Sequence, residues 1–481
     1  GERKAERGHF DFDDMLHMLR AALYAPDGDA LVAELRRRYR VALVDEFQDT
    51  DRVQWDIFRR LFFEAGDRAQ LFLIGDPKQA IYGFRNADVH TYHAARAELA
   101  AAGGQIVPLT TCHRSRATLI DALNRILEAG FFTGINAYPH PVTCGRPQLR
   151  AVGPEGRDVP PVTLLHCVGR PKLTAAGIRA ALGQAIATEI RRLLDGGLAV
   201  DRGDGLRPLT PSDVHVLCRS RSETEAVGAA LAAASVPYAF YKQEGLFQTE
   251  SARHVWELLR ALEDPSSTVR RFHAWLGPFF AVPLERLPAC RDLPPDHPLL
   301  ARLEQWRALA EAQRWAALFR SLVDDSGVLR RELFAGAGDR RLTDLTHILE
   351  ILLEETHRGR RSLSQLVARL GAFIEGRERP VGESGNVHRL ESERRAVQVL
   401  TMHKAKGLEA EVVFLFGGFS EPAPDPLAPR VFHDADGERV AWLGRPPDAV
   451  RDRLEREGRE EAERLLYVAL TRARSKLYLP Y

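Results

Sequence analysis

The feature that most restricts the fold of this chain is a series of short apolar runs, each of which ends abruptly in polar residues. In the first 110 residues these runs lie at 41–44, 71–74 and 106–109, and they alternate with helical patterns such as 30–38. Strands that alternate with helices favour a parallel sheet covered by helices. The sequence therefore predicts an α/β fold for its N-terminal part.

A second α/β stretch follows and is interrupted by a long helical block. Val214–Cys218 is a predicted strand and Glu223–Ala234 a predicted helix, and the α/β pattern resumes at 397–401. Between 252 and 391 the sequence instead has amphipathic helical patterns, such as 299–322, with almost no strand signal. We therefore expect the helical block to be inserted into the second α/β domain.

Composition narrows the class of protein. The 481 residues, 45% hydrophobic and 28% charged, are enough for two to four globular domains. No run reaches the roughly 18 apolar residues of a membrane span, and the N-terminus lacks a signal peptide's apolar stretch. The five cysteines lack the paired spacing of a zinc or redox site. We therefore expect a soluble, cytoplasmic protein with reduced thiols. The net charge is only +1, so any nucleic-acid binding must depend on a local groove rather than on the charge of the whole chain.

The sharpest local signal is the apolar run 41–44 followed directly by Asp45 and Glu46. In an open parallel sheet, residues at the carboxyl ends of strands lie at the ligand-binding edge. One carboxylate can hold a hydrated Mg²⁺ while its neighbour orients or deprotonates the water that attacks a γ-phosphate. Acidic strand ends are common, however, and Asp45 could equally cap the next helix. The pair alone leaves both interpretations open.

A second strand-to-loop transition follows about 25 residues later, at 73–85. Here Gln79 could reach a phosphate or the attacking water. Tyr82, Phe84 and Arg85 offer flat surfaces on which the bases of a single strand can stack. Aromatic side chains more often belong to a core, so this cluster taken alone favours a core role.

These two blocks resemble motifs II and III of superfamily-one DNA helicases of the UvrD/Rep type, and further segments follow that family's order. The segments are Phe12–Leu16, which resembles the part leading into the first motor domain, Leu109–Ser115 (motif IV), Phe240–Leu262 (motif IVa), Val399–Glu409 (motif V) and Glu461–Arg474 (motif VI). Six motifs in this order are highly specific. Within the family, residues 75–82 and 340–345 are similar to the RecB branch, the β subunits of exodeoxyribonuclease V.

The resemblance implies an α/β fold with two RecA-like parallel-sheet motor domains, the first incomplete, and a mostly helical domain inserted in the second. The implied boundaries are 1–108 for the C-terminal part of the first motor domain (1A), 109–255 and 393–481 for the second (2A), and 256–392 for the insertion (2B).

The resemblance also implies ATP and Mg²⁺ as cofactors and assigns roles by position. Asp45 would bind Mg²⁺ and Glu46 would activate water. Gln79 would sense the γ-phosphate, and Arg114 and Arg472 would stabilise transition-state charge from the second motor domain. The nucleotide sugar would be approached by Gly407 and Glu409, and single-stranded DNA would be contacted by Tyr82, Phe84, Arg85, Thr401, His403 and, as a weaker assignment, Arg219.

The implied activity is that of an ATP-dependent 3′–5′ DNA helicase motor of a bacterial RecBCD-type recombination and double-strand-break repair complex. The implied partners are single-stranded and duplex DNA and RecC-like and RecD-like subunits, with no membrane. A non-catalytic DNA-binding scaffold with a helicase fold is the alternative, and the intact Glu46, Gln79, Arg114 and Arg472 favour the motor over it. A role as a nuclease is disfavoured because the sequence has no further cluster of acidic metal ligands.

The phosphate-binding loop of such motors is not found in the sequence. That loop needs glycine-rich backbone amides and a lysine in the pattern G-x-x-x-x-G-K-[ST]. The chain contains no Gly-Lys dipeptide, and motif II begins at residue 41. We therefore expect a fragment of a longer protein that has neither strong ATPase nor nuclease activity by itself.

Overall fold

The computed structural model describes residues 10–64, 69–128, 130–134, 141–166, 174–241, 245–334, 338–380, 386, 396–417, 429–434 and 437–481. The chain divides into two compact units, Gly1–Tyr238 with Val397–Tyr481 and Ala239–Ala396. None of the helices among these described residues combines the length and apolar character that crossing a lipid bilayer requires. Four of the five cysteines are free thiols, and Cys167 lies outside the described residues.

Strands and helices alternate along most of the chain. The strands are β1 (Val41–Val44), β2 (Gln70–Leu73), β3 (Thr111–Cys112), β4 (Thr143–Cys144), β5 (Arg150–Val152), β6 (Val162–Leu165), β7 (Ala199–Asp201), β8 (Leu206–Pro208), β9 (Val214–Cys218), β10 (Tyr238–Phe240), β11 (Val397–Thr401), β12 (Ala410–Phe416), β13 (Arg430–His433), β14 (Arg439–Trp442) and β15 (Ala473–Pro480). The helices are α1 (Phe12–Leu23), α2 (Gly28–Arg38), α3 (Arg52–Leu61), α4 (Val89–Ala101), α5 (Ala117–Leu127), α6 (Ala175–Arg192), α7 (Arg221–Ala233), α8 (Glu250–Glu263), α9 (Thr268–Leu276), α10 (Pro298–Glu311), α11 (Trp315–Asp324), α12 (Val328–Phe334), α13 (Gly338–Gly359), α14 (Leu363–Ile374) and α15 (Asp448–Leu470).

The N-terminal part of the first unit is built on the parallel pair β1 and β2. Inward-facing side chains of both strands, such as Ala42 and Leu71, pack against Leu23, Val32 and Ile57 of α1, α2 and α3. The alternating side chains point outward, so that Leu43 is 70% and Phe72 is 50% exposed. This sheet therefore has one covered face and one exposed apolar face.

A six-stranded sheet forms the centre of the first unit, in the order β10-β11-β9-β12-β15-β6. The pairs β11–β9, β9–β12, β12–β15 and β15–β6 are parallel. All residues of β9 and β12 are buried, as expected for strands covered on both faces. Since β9 and β10 precede the helical unit and β11 and β12 follow it, the helical block is an insertion between strands of one sheet. The predicted mixed α/β fold with a helical insertion is confirmed.

The second unit is helical and has its own core. Trp306 of α10, Leu352 of α13 and Leu370 of α14 are among its fully buried side chains. One helix predicted at 299–322 is wrong, because α10 ends at Glu311 and α11 begins at Trp315. Gln313 between them has a φ of 53°, which a continuous right-handed helix cannot accommodate.

The strand predicted at 106–109 is also wrong, since the structure has no strand at these positions. Val107 is 72% and Leu109 is 86% exposed. An apolar run forms a buried strand only where a sheet offers it a partner and a covering layer, and this run receives neither.

Candidate nucleotide and DNA site

The two predicted carboxylates lie at the carboxyl end of β1. Glu46 has a left-handed backbone conformation, with a φ of 53°, and its N–H donates to Asp45 Oδ1 at 2.9 Å. The cap of the next helix, α3, is Asp51, whose side chain accepts from the Gln54 N–H at 2.7 Å. The alternative of Asp45 as a helix cap is therefore wrong, and both side chains are left exposed at the sheet edge.

The loop after β2 is joined to the loop after β1 by one buried glutamine. The side-chain amide of Gln48 donates to Glu46 Oε2, and its oxygen accepts from the Asp76 N–H at 2.9 Å. Asp76 in turn accepts from Gln79 Nε2 at 3.0 Å and from the Tyr467 hydroxyl at 3.3 Å. Because these bonds are connected, one hydrogen-bond network holds both predicted catalytic side chains, Glu46 and Gln79.

Arg114, which follows β3, is fixed by residues more than 290 positions away. Its Nε donates to Glu409 Oε2 at 2.9 Å and its Nη1 to the Thr471 carbonyl at 3.1 Å. The other oxygen of Glu409 accepts from Arg474 Nη1 at 2.9 Å. Segments similar to motifs IV, V and VI therefore meet at a single carboxylate.

Arg472 is almost completely buried, with 1% of its surface exposed. Its Nε donates to the Val468 carbonyl at 2.8 Å and its Nη2 to the Thr471 hydroxyl at 2.9 Å. Burial, followed by the positive charge of Arg114, lowers its pKa to about 10, whereas the carboxylates of Glu46 and Glu409 act in the opposite direction. Arg472 therefore remains charged at neutral pH, and it lies within electrostatic range of both Arg114 and Glu46.

Lys406 is a further residue at this site, and sequence reasoning had given it no role. Its Nζ contacts Asp49 Oδ2 at 2.5 Å, the Gln79 carbonyl at 2.9 Å and Glu46 Oε2 at 3.5 Å, and only 5% of its side chain is exposed. The same ammonium lies 4.8 Å from the centre of the Tyr82 ring. Its position inside the segment similar to motif V was the available signal, but the contacts depend on tertiary structure.

Residues 82–86, here called the stacking loop, carry three of the predicted DNA contacts. Phe84 is 66% exposed, and its ring lies edge-on to those of Tyr82 at 5.9 Å and His403 at 5.7 Å. The Arg85 guanidinium lies 5.6 Å from the Tyr82 ring and 5.9 Å from the Phe84 ring. A core role is therefore wrong for Phe84, which presents an aromatic surface to solvent.

The other predicted DNA contacts lie at the carboxyl ends of β9 and β11. Thr401 ends β11 and pairs in register with Cys218, and Arg219 follows directly. Burial and the charge of Arg219 lower the pKa of His403. Gly407, in the turn before β12, has a φ of 81°, a conformation that favours glycine. All thirteen predicted site residues lie in the first unit.

Comparison with known families gives the class of protein. Residues 1–100 match the family described as UvrD/REP helicase N-terminal domain, and residues 302–481 match the UvrD-like helicase C-terminal domain. The two ranges together cover more than half of the chain. The chain therefore belongs to the UvrD-like DNA helicase family, as its motifs predicted.

The curated proteins similar to this chain include RecB subunits. The chain is 34% identical, over 99% of its length, to the RecBCD enzyme subunit RecB of Mycolicibacterium smegmatis, and 33% identical, over 98%, to that of Escherichia coli. It is 27% identical, over 97%, to the RecBCD enzyme subunit RecB of Haemophilus influenzae. The chain spans 42%, 40% and 38% of the length of these three relatives.

Proposed function

We propose that this chain forms the larger part of an ATP-dependent 3′–5′ DNA helicase motor of the RecBCD type, acting in recombination and double-strand-break repair in the bacterial cytoplasm. The observation that carries the proposal is the position of Lys406, whose Nζ lies 3.5 Å from Glu46 Oε2 and donates to the Gln79 carbonyl at 2.9 Å. Three residues further on, Glu409 binds Arg114 at 2.9 Å. The segment 406–409 therefore connects a carboxylate beside the two-stranded sheet with a guanidinium beside the six-stranded sheet, as a shared triphosphate site would require.

Each side chain of this site has a chemical task in ATP hydrolysis. Asp45, an exposed carboxylate at a strand end, has the hard oxygen donors that suit Mg²⁺, which would neutralise phosphate charge. Glu46 would accept a proton from the attacking water, and Gln79 would orient that water against the γ-phosphate. Arg114 and Arg472 would stabilise the charge that spreads over the equatorial oxygens in the transition state.

Lys406 links the nucleotide side of the site to the DNA side. In this structure its ammonium compensates the carboxylates of Asp49 and Glu46 and also contacts the face of Tyr82. A bound cation near Glu46 would compete with the ammonium for these carboxylates and so change the position of Lys406 against Tyr82. We propose that this exchange transmits nucleotide binding to the stacking loop.

Single-stranded DNA would bind along the stacking loop and the ends of β9 and β11. Replacing Phe84 with alanine removes an exposed ring that can stack on a base, and such stacking contributes about 1–3 kcal/mol per base. We expect single-strand affinity to fall by roughly 5- to 150-fold. Fluorescence anisotropy with a labelled oligonucleotide measures this. Phe12→Ala is a control, because its ring is 82% exposed on α1, outside the predicted DNA contacts; equal losses in both variants would contradict the assignment.

The 481 residues alone are expected to hydrolyse ATP only weakly. The sequence holds no G-x-x-x-x-G-K-[ST] pattern that could supply phosphate-binding amides and a lysine. We propose that a further segment contributes the phosphate-binding loop. The exposed apolar face of β1 and β2 offers a surface on which that segment could pack. Steady-state ATPase with and without single-stranded DNA tests this. Robust DNA-stimulated turnover of the 481-residue chain would contradict it.

The proposed partners are DNA and RecC-like and RecD-like subunits, since the RecB relatives are named as subunits of the RecBCD enzyme. A non-catalytic scaffold would bind DNA equally well but would not depend on Glu46 for any reaction. The effect of replacing Glu46 on ATP hydrolysis therefore distinguishes a motor from a scaffold.

A further inference from the structure

The hairpin of β13 and β14 lies between the segments similar to motifs V and VI, and its role is not explained by the functions assigned above. The two strands pair antiparallel, with His433 opposite Arg439. Side chains of both residues contact the segment 83–90, which contains most of the stacking loop and the start of α4. The hairpin thus connects the segment between motifs V and VI to the loop that carries Phe84.

Arg439 binds the stacking loop through two backbone carbonyls and one side-chain oxygen. Its Nη2 donates to the Gly83 carbonyl at 3.2 Å, and its Nη1 donates to the carbonyl and the side-chain oxygen of Asn86, both at 3.3 Å. Asn86 has a left-handed conformation, with a φ of 69°, and ends the short 3₁₀ turn. One planar guanidinium therefore contacts both ends of the turn that presents Phe84 and Arg85.

His433 attaches the hairpin to the residues directly after the stacking loop. Its Nε2 lies 3.3 Å from Asp88 Oδ1 and its Nδ1 lies 3.1 Å from Glu457 Oε2 of α15. Contacts with Asp88 first and Glu457 second raise the pKa of His433 to about 9, so the imidazolium is charged at neutral pH. Asp88 caps α4 by accepting from the His90 N–H at 2.8 Å. This ion pair anchors the hairpin beside the loop.

The internal bonds of the stacking loop are few. They comprise Arg85 N–H to the Tyr82 carbonyl at 2.8 Å and Asn86 N–H to the Gly83 carbonyl at 3.2 Å. A single 3₁₀ turn has weak internal stabilisation, because few hydrogen bonds offset the entropy of fixing its backbone. Contacts from outside the loop therefore determine how firmly the orientation of the Phe84 ring is fixed.

We propose that the β13–β14 hairpin is a clamp for the DNA-stacking loop, with Arg439 as the positioning residue that fixes Phe84 and Arg85 in the orientation that accepts bases. This inference rests on the proposed DNA-binding function. Arg439 itself need not touch DNA. It acts by restricting the loop, so that single-stranded DNA does not have to order the loop when it binds.

The first test measures the loop without DNA. In the Arg439→Ala variant of the full chain, hydrogen–deuterium exchange of the amides of residues 83–88 is expected to be about tenfold faster than in the wild type, because local opening loses its external restraint. Arg439→Lys, which retains the charge but not the planar guanidinium, is expected to give an intermediate exchange rate. Arg445→Ala, an exposed arginine just beyond the hairpin, is the matched control. Unchanged exchange in the Arg439 variants would overturn the proposal.

The second test uses single-strand affinity in a double-mutant cycle. Arg439→Ala is expected to weaken single-strand binding by roughly 3- to 30-fold. In the Arg439→Ala/Phe84→Ala variant, the fold-loss of affinity is expected to be smaller than the product of the fold-losses in the two single variants. Independent, multiplying effects would contradict the clamp while leaving the DNA site intact. If Phe84→Ala has no effect, the stacking assignment fails, and the exchange experiment still decides whether Arg439 holds the loop.

Discussion

The turnover number of ATP hydrolysis by the assembled enzyme is expected to fall by about 10³- to 10⁵-fold when Arg114 is replaced with alanine. The side chain is one-third exposed and held by Glu409 and the Thr471 carbonyl, and Arg472 donates to the hydroxyl of the same threonine, so the two guanidiniums are preorganised at one residue. Preorganised positive charge stabilises the phosphoryl transition state more than the ground state. Steady-state ATPase at saturating single-stranded DNA measures the loss.

Arg474 provides the matched control for Arg114. Its guanidinium binds the other oxygen of Glu409 at 2.9 Å but has no assigned contact with the triphosphate. Arg474→Ala therefore releases the same carboxylate without removing the proposed transition-state charge. Losses of equal size in both variants would mean that Arg114 acts only by holding Glu409, which contradicts its assigned role.

Replacing Glu46 with glutamine is expected to lower turnover by about 10²- to 10⁴-fold while nucleotide binding is retained. The amide has nearly the same shape as the carboxylate but cannot accept the proton of the attacking water. A fluorescent ATP analogue gives the binding constant, and single-turnover hydrolysis gives the rate. Weakened binding with normal hydrolysis would contradict the role of Glu46 as the base.

Asp45→Asn is the comparison that separates the two neighbouring carboxylates. Since Asp45 is assigned to Mg²⁺, its replacement is expected to raise the Mg²⁺ concentration needed for half-maximal turnover. Glu46→Gln should leave this Mg²⁺ dependence close to that of the wild type. Interchanged behaviour of the two variants would mean that the roles are reversed. A change in ATP hydrolysis in either variant still distinguishes a motor from a scaffold, because a scaffold needs neither carboxylate for catalysis.

Strands were predicted best where local and tertiary forces agree. Val41–Val44, Val214–Cys218 and Val397–Thr401 have the predicted bounds because each apolar run is paired in a sheet and ends at polar residues. The run at 106–109 has the same local pattern but lies exposed, so its pattern alone did not make a strand. The break at Gln313 depends on one backbone conformation, which hydrophobic periodicity does not report.

The site was named from motif order, but its connections depend on the fold. Sequence spacing could not show that Lys406 contacts Asp49, because these residues are 357 positions apart. The same holds for Arg439 and Gly83, which are 356 positions apart. Residue types therefore indicated the chemistry of the site, whereas the sheet order and the loops determined which groups act on one another.

The most direct test of the central claim is a structure of the assembled enzyme with Mg²⁺, ADP and aluminium fluoride, which mimics the transferring phosphoryl group. We predict guanidinium nitrogens of Arg114 and Arg472 within about 3.2 Å of the fluorides, and a water between Glu46 and the aluminium. Arginines that point away from the fluorides, or a nucleotide bound far from Glu46, would contradict the account of this chain as part of an ATP-driven motor.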